Sequence, residues 1–117
     1  MSGLFSILEK IKIKPGMYLG KQSVSDLFMF LVGYESARSE LEIELTKEEE
    51  IFYGEFQPWL QEKLQIKTNT SWAKLIMLNC HDEAAGFKSF FELLETFILE
   101  KSIELTKVNL TNQLIKT

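Results

Sequence analysis

A chain of 117 residues with 45% apolar side chains has the size of one domain with a core of its own, and nine Phe, three Tyr and two Trp make that core aromatic-rich. A formal charge of -4 and a pI of about 5.1 disfavour a nucleic-acid partner and suit solubility or a basic protein partner. No apolar run is long enough to span a membrane, the N-terminus lacks a signal-peptide pattern, and the single Cys80 excludes an internal disulfide, so a cytoplasmic chain is expected.

Leu4, Phe5, Ile7, Leu8 and Ile11 recur at three- and four-residue steps, which predicts a short amphipathic helix. Pro15-Gly16 predicts a type II turn after it, with Gly16 at positive φ, and Gly20 breaks the chain again. Met17 and Tyr18 in this elbow are expected to pack against the next helix. From Met1 to Lys21, Glu9 stands against Lys10, Lys12, Lys14 and Lys21, a local net of +3.

Ser23, three residues before Asp26, resembles a capping box and predicts a helix from about Ser23 to about Leu45. Its inner stripe would carry Leu27, Leu31, Tyr34, Leu41 and Leu45, its outer face Glu35, Glu40, Glu42 and Glu44. Thr46 then predicts a capped restart, with Glu48, Glu49 and Glu50 at the positive end of the helix dipole. Pro58 predicts a fresh helical segment, because proline is tolerated in a first turn and costs about 3 kcal/mol inside a helix. After the polar stretch Lys67–Ser71, Ser71 or Thr70 can cap a short helix from Trp72 to about Asn79. Asp82 can cap a last helix bearing Phe87, Phe90, Phe91, Leu94, Phe97 and Ile98. The tail from Lys101 fits either a minor strand, through Ile103-Glu-Leu105, or a frayed helix, through Val108, Leu110 and Leu114. The fold class expected is mostly α, one domain over 1–117, with four to six helices around an aromatic core.

Asn79-Cys80-His81-Asp82-Glu83 is the one place where nucleophile, base and acid types meet. Neighbouring side chains point apart, so a helix junction capped by Asp82 is the better reading than a catalytic dyad. One His and one Cys do not make a metal site, so no catalytic residue, metal or cofactor is expected, and the chain does not read as an enzyme. Lys12-Ile-Lys-Pro-Gly-Met-Tyr-Leu-Gly20 looks like a segment of the DNA gyrase ATPase subunit. The helix after it lacks the magnesium-binding Asn, and no Asp-x-Gly-x-Gly loop follows, so phosphoryl chemistry is not expected.

Taken in order, Lys14-Pro-Gly-Met-Tyr-Leu-Gly20, the pair Gly33-Tyr34, Phe56 with Trp59-Leu60, Ser71-Trp72 with Leu75-Ile76, and Asp82-Glu83 leading to Phe90-Phe-Glu-Leu-Leu94 form a spaced series. The series resembles small bacterial immunity proteins encoded beside polymorphic toxins, including contact-dependent growth inhibition systems. Pro58 within the Phe-x-x-Trp segment and the tail after Lys101 depart from it. The resemblance implies a cytoplasmic protein that binds and neutralises a cognate toxin domain, a class that includes nucleases. The alternative is a small regulatory or adaptor domain with an unrelated partner, and gene neighbourhood separates the two.

Glu35 to Glu55 holds eight glutamates against Arg38 and Lys47, a local net of -6. A solvated, inert face is the plain reading of such a run. An acidic inhibitor of a nuclease can instead occupy a phosphate-binding cleft. Glu40, Glu42, Glu44, Glu48, Glu49 and Glu50 are the partner-binding residues expected on that second reading.

Overall fold

The computed structural model describes residues 3–116, with side chains through 102. Six helices follow in order: α1 Leu4–Ile13, α2 Pro15–Leu19, α3 Val24–Glu40, α4 Lys47–Leu64, α5 Trp72–Met77 and α6 Glu83–Lys116. The described residues contain no strand, and the alternation at Ile103-Glu-Leu105 is carried within α6.

Each long helix contributes one stripe to a single core. Leu4, Leu8 and Ile11 come from α1, Val24, Leu27 and Leu31 from α3, and Phe52, Phe56 and Leu60 from α4. Trp72, Leu75 and Ile76 of α5 join Phe87, Phe90, Leu94 and Phe97 of α6. Phe56 sits at the centre, 1% exposed. Its ring stacks on Phe52 and Trp59 and meets Trp72, Phe90 and Phe97 edge-on, with centroids 5.0 to 5.9 Å away. Such pairs add about 0.5–1.5 kcal/mol each beyond the area they bury.

Four starts follow the capping logic of the sequence. The hydroxyls of Ser23, Thr46 and Ser71 accept the backbone N–H of the residue three places on, and Asp82 Oδ1 accepts that of Ala85. Only Thr46 has the full reciprocal box, because Glu49 returns a carboxylate oxygen to the Thr46 N–H at 2.8 Å.

Four expectations are corrected. Pro15-Gly16 is not a type II turn: Pro15 opens α2 as its first-turn residue, Gly16 has no positive φ, and Gly20 at φ 80 ends the helix with its N–H on Gly16 O. Tyr18 does meet α3, edge-on to Phe30 at 6.2 Å, but Met17 is 75% exposed. The second long helix stops at Glu40 rather than Leu45. Glu42 takes the left-handed conformation at φ 56, the Ile43 N–H bonds Arg38 O, and the Glu42 N–H bonds Ser39 O. That pattern closes a helix in a Schellman motif and throws Leu41 and Leu45 off the inner stripe, to 71% and 38% exposure. Pro58 starts nothing: α4 runs through it. Pro58 and Gly54, whose carbonyl loses its partner, both face solvent, where water can take the freed oxygen.

Candidate functional site

The acidic run lies at the junction of α3 and α4, and one ion pair fixes that junction. Val24, Leu27, Leu31, Tyr34 and Arg38 share one face of α3; Glu49, Phe52, Phe56 and Leu60 share one face of α4. The two inner stripes therefore end in a cation and an anion that meet. Both terminal guanidinium nitrogens of Arg38 donate to the Glu49 carboxylate, Nη2 to Oε1 at 3.2 Å. Glu49 Oε2 also accepts the Leu4 N–H at 2.9 Å, so one carboxylate joins the starts of α1 and α4 to the end of α3. These bonds, above all those from Arg38, hold the Glu49 carboxyl down at about 2, and the same contact raises Arg38. Gly3 leaves room for the arrangement: at φ 103 it caps α1, and a Cβ there would lie 3.2 Å from Glu49 Oε2.

Glu49 is 1% exposed and so cannot serve as a partner-facing residue. Its place on the Phe52, Phe56, Leu60 stripe was the signal, since a carboxylate at that register is turned inward. Glu40, Glu42, Glu44, Glu48 and Glu50 are all exposed, and among the described residues none of their carboxylates forms an ion pair. Between them Leu41 and Ile43 are also exposed, at 71% and 49%. The junction therefore presents acid and apolar groups together on a fixed base.

Beside it runs a groove of about 730 Å³ between α1, the start of α4 and the middle of α6. Leu4, Phe5, Ile13, Ile51, Phe97 and Ile98 give it mainly apolar walls. Glu9, Lys10, Glu48 and Lys101 stand among them, and Lys101 is paired with Glu55 at 2.8 Å.

No protein-family model, curated protein or solved structure matches this chain.

Two other carboxylates join helices. Glu83, at the start of α6, accepts the Ser25 N–H and the hydroxyls of Ser23 and Ser25 at 2.8 to 3.0 Å, capping α3 from outside. Those bonds, led by the Ser25 N–H, outweigh burial and lower its pKa. Glu100 accepts the Trp59 indole N–H at 3.0 Å and pairs with Lys63, which fastens α6 to α4 and lowers Glu100 as well.

The Cys80-His81-Asp82 corner is a helix junction: Cys80 is half-buried, His81 is exposed, and Asp82 caps α6. No three His, Cys, Asp or Glu side chains converge on a metal-sized site among the described residues. No helix among them is long and apolar enough to cross a membrane. The Tyr53 hydroxyl is buried without a hydrogen-bond partner beside a void of about 80 Å³. Burial first, then the charges of Glu35 and Glu49, push it up to about 12, so it stays neutral.

Proposed function

We propose that this protein is an immunity protein, a stoichiometric inhibitor that holds its cognate toxin domain through the exposed acidic junction between α3 and α4. The observation that carries this reading is five unpaired, exposed carboxylates, Glu40, Glu42, Glu44, Glu48 and Glu50, on a backbone pinned by Arg38 and Glu49. The resemblance of the spaced sequence series to immunity proteins supports the same reading. A toxin that cuts RNA or DNA needs a basic cleft for phosphates. A cluster of exposed carboxylates competes for such a cleft, and complementary fields speed the encounter. Pre-ordering of the backbone matters, because a junction already held in place loses little backbone entropy on binding. The exposed Leu41 and Ile43 add apolar contact that a purely solvated acidic face would lack.

The test is protection in cells. The C-terminal domain of the toxin encoded beside this gene is expressed with and without this protein, and growth is followed. Protection by the wild-type chain and its loss on converting Glu42, Glu44, Glu48 and Glu50 together to Lys is the expected result. Association of the purified pair should also slow as salt rises, because attraction is screened beyond about 8 Å at physiological ionic strength. Unchanged protection by the folded quadruple variant, or no toxin gene beside this one, overturns the reading.

A further inference from the structure

We propose that the groove between α1, the start of α4 and the middle of α6 is the docking site for one amphipathic helix of the partner, apolar on one side and lysine- or arginine-bearing on the other. The partner's identity rests on the immunity reading; the chemistry of the groove does not.

The groove is built for side chains rather than for solvent. Ile13 and Ile98 on its walls are 67% and 42% exposed, although the same helices bury Leu8, Ile11, Leu94 and Phe97 a turn away. Its lining runs along α1 from Leu4 to Ile13, about 14 Å at 1.5 Å per residue, or between two and three helical turns. The groove accepts the apolar side of a helix and leaves the polar side outside. Two helices, α1 and α6, form the walls, and a third laid between them would cover the exposed apolar residues in the usual helix-in-groove manner.

Charge sets the sign of the outer face. Lys101 on the wall is paired with Glu55, Glu49 beneath is paired with Arg38, and Glu9 and Lys10, neighbours on α1, cancel in the charge of the lining. Glu48 remains on the wall without an ion-pair partner, and Glu50 and Glu44 flank it along the chain. Elsewhere the carboxylates that hold helices together, Glu83 and Glu100, are satisfied within the fold. Glu48 stands on the wall of the groove, where a helix with lysine or arginine on its outer face would meet it.

The probe is a synthetic amphipathic helix of Leu and Lys, set against a scrambled peptide of the same composition that keeps the charge and loses the apolar side. Both are titrated into the full chain and followed by NMR. The amphipathic peptide is expected to shift Phe5, Ile51 and Phe97 and to show contacts from its Leu methyls to Ile13 and Ile98. Scrambling should weaken binding at least about tenfold, and so should the double substitution Ile13→Glu and Ile98→Glu, which changes two exposed positions. Glu44→Gln with Glu48→Gln and Glu50→Gln should weaken it and flatten its salt dependence. Equal binding of the scrambled peptide, or contacts away from the groove, overturns the proposal; the contacts are read on the wild-type chain, so a poorly folded variant does not blur the answer. A dimer of this chain in sedimentation that the double substitution abolishes would place a second copy in the groove and also overturn it. Toxin protection that survives Ile13→Glu with Ile98→Glu removes the groove alone. Peptide seated in the groove without toxin protection removes the immunity reading alone.

Discussion

Arg38 Nη2 lies 3.2 Å from Glu49 Oε1, and through that contact the last turn of α3 is joined to the first turn of α4 with α1 attached by its Leu4 N–H. The pair is nearly dry, with side chains 11% and 2% exposed. Removing one member strands the other charge inside, which costs about 3 kcal/mol or more. Arg38→Ala should therefore lower the urea midpoint strongly. Arg38→Lys should recover only part of the loss, because an ammonium cannot reproduce the two-pronged contact. An Arg38→Ala chain as stable as wild type would show that the three helix ends are held by something else.

The same pair makes stability fall in acid. Glu49 titrates at about 2 when folded and near its ordinary 4.5 when unfolded. A folded value below the unfolded one means that the stabilisation is complete above the unfolded value and disappears as pH drops from about 4.5 towards 2. Glu83 and Glu100, both lowered, push in the same direction. Urea midpoints measured down that range should fall steeply for wild type and less steeply for Glu49→Gln. Equal slopes would separate acid sensitivity from this carboxylate.

Two helices end in a left-handed residue other than glycine, Glu42 at φ 56 and Gln65 at φ 55. A side chain there costs about 1–2 kcal/mol, part of which glycine recovers after its own entropy is charged. Glu42→Gly and Gln65→Gly should each raise stability by up to about 1 kcal/mol. Gln65→Gly lies outside the acidic junction and should leave partner association unchanged, whereas Glu42→Gly also removes a carboxylate and should slow it. Thermal melts and association rates on the two variants check both halves.

Glycines in helices should respond with opposite signs. Gly16 is exposed in α2, and a Cβ there meets nothing within 4 Å, so Gly16→Ala should stabilise by about 0.5–1 kcal/mol. Gly86 lies where α6 crosses α3, and its Cβ would fall 2.6 Å from Val24 Cγ1 and 2.9 Å from Met77 Sδ. Gly86→Ala should cost about 1–3 kcal/mol by overpacking. A stabilised Gly86→Ala chain would place the two helices further apart than a 2.6 Å approach allows.

Helical class, the aromatic core and four N-caps were legible in the sequence because apolar spacing and capping chemistry are local. Pro58 misled for the same reason: the local rule is strict only inside a core, and the site faces water. The end of α3 was missed because glycine usually marks it and glutamate does so here. Ile-Glu-Leu-Thr-Lys occurs twice, at 43–47 and 103–107, and shows the limit of five residues of context. The first copy leads into a helix start, because Glu49 stands three residues after Thr46 and completes the box; three residues after Thr106 stands Asn109, and α6 runs straight through. Five of the six acidic residues of the candidate site are exposed as expected, and Glu49 could have been set apart by its register with Phe52 and Phe56. The groove had no sequence signature, since it exists only through the placement of α1 against α6.

The central position of Phe56 has a consequence for how the chain is made. Synthesis runs from the N-terminus at about 5–20 residues per second. The Glu49 junction draws only on residues up to the first turn of α4, so it can be tied while the rest is still being translated. Phe56 must wait for Trp72, Phe90 and Phe97 before its ring is covered. A nascent chain stopped before Phe90 thus lacks two of the rings that cover Phe56 and leaves an open aromatic face, the kind of surface that chaperones at the ribosome capture.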